Sequence, residues 1–522
     1  MTSRNPAFVE LLPAQRNVRI RQREAEPNSA SLETHDAVLI LCPSDAGAKS
    51  LTGLPHSTLW KKLYAAAAAQ GPVAHMSARA AESGRPTVIA FIKPNASAFE
   101  RLSATAAAYK EFGTLPEKCR ILIAAIRFGK DAAAQVLEAA LSSVLAGSAP
   151  LPEMKSKPSR KPGVSEITLL HSGVAVNVEA ARALDRGNHV ARWLTSLPPN
   201  ILDAPTYRRA VRDLAKREGW KFTFYDEAAL ERLRAGAFLA VSRANEHRGA
   251  GIACIRYRPR ARGKSQPRLA LVGKGICFDT GGINLKPHKS MYHMHEDMQG
   301  SAVALGMLLA LSALEVPYEI DCWLAITENE INARAYRPQE VVRALNGTTI
   351  QVAHSDAEGR MVLADTLALA AREQPDLIVD YATLTGSCIL ALTERYSGAF
   401  TNQPQLHPQL LAAGVRSGER VWPFPMDEDF DSDLSSKIAD VLQCTPDSKG
   451  DHILAARFLK RFVPDTIPWI HLDLSSSNRS GGLAHIPSDF TGFGLRFTYE
   501  LLQQPDVFHG RASKRGSPKR SR

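Results

Sequence analysis

The sequence predicts an α/β protein: a smaller N-terminal α/β domain, then a larger C-terminal domain whose mostly parallel sheet is covered by helices on both faces. Three observations predict it. Short strand-like apolar runs alternate with helical stretches along most of the chain. Six of these runs fall after residue 165, enough for one large sheet buried on both sides. The length of 522 residues exceeds one ordinary domain.

The elements follow in order. Residues 1–35 are polar and predict a loose N-terminus. The runs AVLILC (37–42), TVIAFI (87–92) and RILIAAI (120–126) read as strands. Helical stretches over 98–112 and 130–145 follow the second and third, so residues 36–148 form the N-terminal domain. Residues 149–165 are rich in proline and basic residues, lack apolar periodicity and read as a linker. Residues 166–509 form the second domain. It opens with a helix over 178–197, with Asn177 as N-cap and Pro198 and Pro199 as the stop. KFTFY (221–225), IACIRY (252–257), RLALVG (268–273), DCWLAI (321–326), LIVDY (377–381) and WIHLDL (469–474) are its strands. The tail 510–522 has no large apolar side chain and reads as disordered.

Composition excludes several classes. The longest apolar stretch, residues 302–314, is too short for a membrane span, which needs about 20 residues. The start of the chain lacks the apolar core of a secretory signal. Seven scattered cysteines with no CxxC pair argue against a disulfide framework or a thiolate zinc cage and predict a reducing, cytoplasmic compartment. The net charge of +11 raises a nucleic-acid partner as an alternative. Its distribution weakens that reading. Lys155, Lys157, Arg160 and Lys161 in residues 155–162, and six Lys or Arg in the tail, meet no acid within either stretch, so the rest of the chain carries only +1.

In an open α/β sheet, ligands bind beyond the carboxyl ends of the strands. RLALVG is followed by a polar stretch, 274–301, holding Lys274, Asp279, Lys286, His293, His295, Asp297 and the pair Gly281-Gly282. LIVDY is followed by the small-residue loop ATLTGS (382–387), and HSDAEGR (354–360) precedes an apolar-periodic helix. HExxH and GxSxG are absent, and Gly263-Lys264-Ser265 has Arg258 where a phosphate loop needs glycine. Asp279, Asp297, Asp356 and Glu358 would together balance two divalent ions, and a metal pair suits hydrolysis. Taken singly, the pieces have plainer readings. Asp356 and Glu358 can cap a helix, and Lys274 and Lys286 can be surface cations. Imidazole being the commoner ligand, His293 and His295 are the metal ligands that chemistry alone would choose.

VGKGICFDTGGINLKP (272–287), Asp297, SDAEGR (355–360) and DYATLTG (380–386) resemble, in order and spacing, the cytosolic leucine aminopeptidase family of two-metal exopeptidases. The likeness covers roughly residues 170–505. It implies that Lys274, Asp279, Asp297 and Glu358 hold a tight metal and that Asp279, Asp356 and Glu358 hold an exchangeable one, zinc or manganese, with Asp279 and Glu358 bridging. A lysine ligand must be neutral, and His293 and His295 become pocket or surface residues. The resemblance further implies that Lys286 polarises the scissile carbonyl and that Arg360 holds a bicarbonate serving as general base. Met294, Thr383, Leu384 and Gly386 would line an apolar pocket for the first side chain of a peptide with a free N-terminus. It also implies a homohexamer. The chain departs from the family's usual residues at His354, Met361, Ser475 to Ser477, Asp451 and His452, which bears on the pocket more than on the reaction.

Overall fold

The structure, a computed structural model, describes residues 10–79, 84–157, 163–171, 173, 175–260, 266–447 and 449–508. Its first domain is a six-stranded sheet of β1 (Arg19–Glu24), β2 (Ala37–Pro43), β3 (His75–Arg79), β4 (Pro86–Ile92), β5 (Cys119–Ala125) and β6 (Val164–His171). The order is β1-β6-β5-β2-β4-β3, and only β3 runs antiparallel to its neighbour. Every residue of β2 is buried, as a central parallel strand requires.

Two expectations are corrected here. Residues 19–24, expected to be loose, form the edge strand β1, and Ser29–Glu33 is a short helix. RIRQRE has no apolar face because an edge strand pairs through its backbone; Arg19 and Arg21 lie 3.7 and 3.8 Å from Glu166 on β6. The first domain also reaches His171, past the expected boundary at 165, because β6 inserts between β1 and β5. Residues 1–9, 158–162 of the linker and the tail 510–522 lie outside the described residues.

The second domain holds β7 (Lys221–Asp226), β8 (Gly251–Tyr257), β9 (Arg268–Asp279), β10 (Glu319–Asn329), β11 (Val341–Arg343), β12 (Thr349–Gln351), β13 (Leu377–Ala382), β14 (Ser397–Thr401), β15 (Val421–Pro423), β16 (Val441–Leu442) and β17 (Trp469–Asp473). Strands β11, β12 and β16 form a small sheet; the others form one of eight strands, ordered β15-β14-β17-β13-β9-β10-β8-β7. Its centre, β17-β13-β9-β10, is parallel, and β7, β8 and β14 pair antiparallel toward the edges. All six runs read as strands in this region are strands. Along β10, Ile320, Cys322, Leu324 and Ile326 enter one core, while Trp323 and Ala325 enter the other. This two-sided burial makes the strand apolar throughout rather than alternating. The helices Val178–Thr195 and Gln299–Ala313 cover the first face, and Glu358–Arg372 and Gly236–Ser242 the second. The Asn177 side chain caps the first of these, accepting from the Ala180 amide at 3.0 Å. All seven cysteines are free and buried. No helix among the described residues is long and apolar enough to cross a membrane.

The chain leaves β9 for β10 on one side and later returns as β13 on the other. Such a reversal opens a crevice at the carboxyl ends of β9 and β13.

Candidate active site

Strand β9 runs six residues further than RLALVG, carrying both Lys274 and Asp279 to the sheet's end. Five positions apart, they would face opposite sides of a regular strand. A bulge intervenes: Ile276 to Asp279 on β9 spans the same rungs as Thr327 to Asn329 on β10. The extra residue reverses the alternation and returns Asp279 to the Lys274 side.

The chain then turns through Gly281 and Gly282, at φ +86 and +65. Positive φ is cheap only for glycine. A Cβ on Gly281 would meet the Asn284 carbonyl oxygen at 2.6 Å. This turn is stitched to the loop before the helix Glu358–Arg372. Ser355 Oγ donates to the Gly281 carbonyl at 2.6 Å, and the Asn284 amide donates to Ser355 Oγ at 2.8 Å. Asn329 Nδ2 donates to Asp279 Oδ1 at 2.8 Å and to the Ser355 carbonyl at 3.1 Å. The two acid-bearing loops are thereby fixed face to face. Gly359 completes the fit, because a Cβ there would meet Lys274 Cε at 2.6 Å.

Asp279, Asp356 and Glu358 come together, each offering an oxygen within 4.8 Å of the others'. Lys274 Nζ lies 2.8 Å from Asp297 Oδ1 and 3.0 Å from Glu358 Oε1, and donates to the Thr383 carbonyl at 2.9 Å. Lys286 Nζ lies 2.9 Å from Asp279 Oδ2 and also pairs with Asp356. Thr383 Oγ1 donates to Asp297 Oδ1 at 2.7 Å. These six ionisable residues thus share one cavity of about 340 Å³, whose lining also includes Met294, Arg360, Thr383, Leu384 and Gly386.

The electrostatics are strained in a consistent direction. Burial, then Asp279 and Glu358, push Asp356 up to about 7. Burial, then the neighbouring carboxylates, also raise Asp297 and Glu358 against the pull of Lys274. Burial lowers Lys274, but Asp297, Glu358 and Asp279 outweigh it and hold the amine above the ordinary lysine value. Asp297 Oδ2 and Glu358 Oε2 are buried without a hydrogen-bond partner among the described residues. Crowded acids with orphaned oxygens fit divalent cations, whose field would lower every one of these values.

His293 and His295, the ligands that chemistry alone would choose, lie outside the cluster. The His293 ring packs edge-on to Tyr292 with centroids 4.7 Å apart, and His295 packs against Phe490 at 5.7 Å. The pocket is not simply apolar either. Beside Met294, Leu384, Ile389 and Leu474, it is lined by Ser290, Glu296, Ser475, Ser477 and Asn478. Glu296 and Asp473 went unseen in the sequence. Glu296 accepts from Asn478 Nδ2 at 2.5 Å, and Asp473 holds the 383–386 loop through Thr385 Oγ1 at 2.6 Å and the Leu384 amide at 3.1 Å. Their only signal was position: Glu296 precedes Asp297, and Asp473 ends a strand next to β13.

Arg360 also differs from expectation. Its Nη2 donates to both carboxylate oxygens of Asp451 at 2.8 Å, and Nη1 donates to the Gln443 carbonyl at 3.2 Å. The chain's own carboxylate thus takes one nitrogen of the guanidinium, while Nε is buried without a hydrogen-bond partner among the described residues.

Comparison with known proteins gives the family. The profile described as "Cytosol aminopeptidase family, catalytic domain" matches residues 189–499. A "Probable cytosol aminopeptidase" of Syntrophotalea carbinolica is 39% identical over 333 residues, covering 64% of this chain and 66% of its own length. One from Persephonella marina is 35% identical over 330 residues, covering 63% and 66%. The chain therefore aligns with just under two thirds of these relatives' length. Among solved structures, the bottromycin maturation enzyme BotP in complex with Mn superposes with a TM-score of 0.77 at 29% identity, over 90% of this chain and 99% of that one. The cytosol aminopeptidase of Coxiella burnetii superposes with a TM-score of 0.75 at 25% identity, over 93% and 99%. On the profile match, over more than half its length, the chain belongs to the cytosol aminopeptidase family.

Proposed function

We propose that the chain is a metal-dependent aminopeptidase that releases the first residue of peptides with a free N-terminus. The observation that carries this reading is the meeting of Asp279, Asp356 and Glu358 with Lys274, Asp297 and Lys286 in one cavity. Lys274, Asp279, Asp297 and Glu358 would hold a tighter divalent ion; Asp279, Asp356 and Glu358 would hold a second, zinc or manganese. Bound there, the ions supply Lewis acidity and lower the pKa of water.

The chain's own residues do the rest. Lys286 places a cationic donor at the cavity face of the cluster, where it stabilises negative charge developing on the scissile carbonyl oxygen. Thr383 fixes Asp297 through its hydroxyl and Lys274 through its carbonyl. Met294, Leu384 and Gly386 shape the space for the first side chain. Arg360, whose Nε is buried without a partner among the described residues, would hold the bicarbonate ion that the family resemblance implies.

The test is hydrolysis of an aminoacyl-amide panel with zinc or manganese. N-terminally acetylated substrates should resist cleavage. Lys286→Ala should lower kcat by about a hundred- to a thousandfold while retaining bound metal. Full activity in that variant would sink the mechanism.

The family resemblance also implies a homohexamer. Leu285, Tyr292, Leu390, Val415, Trp422 and Ile438 are large apolar side chains exposed on the single chain, which supports self-association. Light scattering on the pure protein reads the stoichiometry directly.

A further inference from the structure

Glu296 lines the same cavity as the carboxylate cluster, two residues after Met294. It ends the short turn Met294–Glu296, and its backbone amide donates to the His293 carbonyl at 3.0 Å. Asn478 holds one side of its carboxylate, donating from Nδ2 to Oε2 at 2.5 Å. Asn478 is placed in turn by a β-bridge to Phe490, on which the His295 ring packs. The carboxylate is thus held in one orientation. Its other oxygen, Oε1, accepts from no donor among the described residues, and no lysine or arginine there pairs with it. Burial pushes its pKa up to about 7; the Asn478 bond opposes that rise and Asp489 adds to it. A half-buried acid without a cation is relieved by one that arrives.

The lining around Glu296 divides in two. Met294, Leu384, Ile389 and Leu474 are apolar. Ser477, only 5% exposed, brings a hydroxyl with no hydrogen-bond partner among the described residues. Apolar walls beside an unneutralised carboxylate and a free hydroxyl suit a side chain with an aliphatic stem and a cationic tip. A wholly apolar side chain would strip water from these groups and return no bond to them. Apolar walls alone discriminate weakly among aliphatic side chains, whereas a polar group that must be satisfied discriminates strongly. We propose that Glu296, held by Asn478, selects peptides whose first residue carries a cationic side chain, lysine or arginine, over those that begin with leucine. The turnover of such peptides rests on the aminopeptidase reading above; the pocket's affinity for the cation does not.

The experiment has two arms, both on the full chain supplied with manganese. In the first, kcat/KM is measured on lysyl, arginyl, norleucyl and leucyl amides. Lysine and norleucine share an aliphatic stem, so their ratio isolates the ammonium group. Wild type should favour the lysyl amide over the norleucyl amide by about ten- to a hundredfold. Glu296→Gln keeps the length of the side chain and loses its charge, and should bring that ratio close to one. A ratio taken within one variant is insensitive to any general loss of rate. Asn478→Ala, which leaves the carboxylate without its holder, serves if Glu296→Gln does not fold, and should cut the ratio several-fold. The second arm reads binding without turnover, by calorimetric titration with free lysine and free norleucine. Lysine should bind wild type the more tightly by a similar factor, and Glu296→Gln should lose the difference. Equal wild-type values for the lysyl and norleucyl amides would overturn the proposal, as would a preference that Glu296→Gln leaves intact. A chain inactive on all four amides would defeat the aminopeptidase reading and still leave the binding arm to decide the pocket.

Discussion

Lys274 and Lys286 divide the carboxylate cluster between them, and the two halves differ in depth. The inner half, with side chains of Lys274, Asp297 and Glu358 no more than 6% exposed, is sealed from water. The outer half is more open, with the Lys286 side chain 13% and that of Asp356 26% exposed. A cation held by the inner set must shed more water and cross more protein to leave. Release of metal to a chelator should therefore be biphasic. Asp356→Asn should weaken only the fast phase, by at least about tenfold, leaving the slow phase in place; a lost slow phase would contradict the assignment. The acids were legible in the sequence because DAEGR and GKGICFDTGG are local and unusual. The exclusion of His293 and His295 was not legible from chemistry, since nothing in HMHEDMQ (293–299) says that the two rings pack on Tyr292 and Phe490. The Arg360–Asp451 pair joins residues 91 apart in the chain, a distance at which no spacing rule operates.

Among the elements, the helix Glu358–Arg372 links the site to the fold. Its first residue reaches the cluster, and its Asp365, fully buried, ties two other segments to it. Asp365 Oδ2 accepts from the Phe238 amide at 2.8 Å, in the first turn of Gly236–Ser242, and Oδ1 accepts from the Leu345 amide at 2.7 Å. Burial pushes Asp365 up to about 7, against the pull of those amides. A folded acid with a raised pKa binds its proton more tightly than the unfolded chain does. Its stabilising share is full below the ordinary value of 3.8 and is lost as pH rises through about 7. In urea titrations across this window, wild type should lose on the order of a few kcal/mol that Asp365→Asn does not. Equal slopes in the two proteins would refute this linkage. Asp365→Ala strands two buried amides and should cost about 1–3 kcal/mol for each. Elements of this kind were legible where both faces are buried, as in LIVDY and DCWLAI, because burial forces a continuous apolar run. They were illegible in short or polar strands. RIRQRE in the edge strand β1 and SGAFT in β14 carry no such run, and β6 was assigned to the wrong domain because sheet partners are chosen by topology rather than by neighbours in the chain.

For the molecule as a whole, ten of the eleven net positive charges lie in residues 155–161 and 511–522, so attraction to polyanions would act through those segments. What joins the two domains is more specific. Arg496, in the helix Leu495–Leu502, reaches across to Glu138 of the helix Lys130–Gly147 at 2.8 and 3.2 Å, and its Nε donates to the Ser417 carbonyl at 3.0 Å. Nearby, the Arg420 guanidinium lies 3.8 Å over the Phe99 ring. Arg16, from the segment before β1, bridges the Leu145 carbonyl at 2.9 Å and Asp185 at 3.0 Å. Removing the Arg496 cation leaves Glu138 half-buried and uncompensated, with a cost between that of an exposed and a buried pair, about 1–3 kcal/mol. Neither residue lines the cavity that holds the carboxylate cluster. Arg496→Ala should therefore lower the unfolding midpoint and speed proteolysis in the 149–163 connection, while kcat/KM on an aminoacyl amide stays near wild type. Glu138→Ala in the same background should add little, since its partner is already gone. The opposite pattern, activity lost with the midpoint unchanged, would mean that the N-terminal domain acts on the site through Arg496 rather than merely docking there.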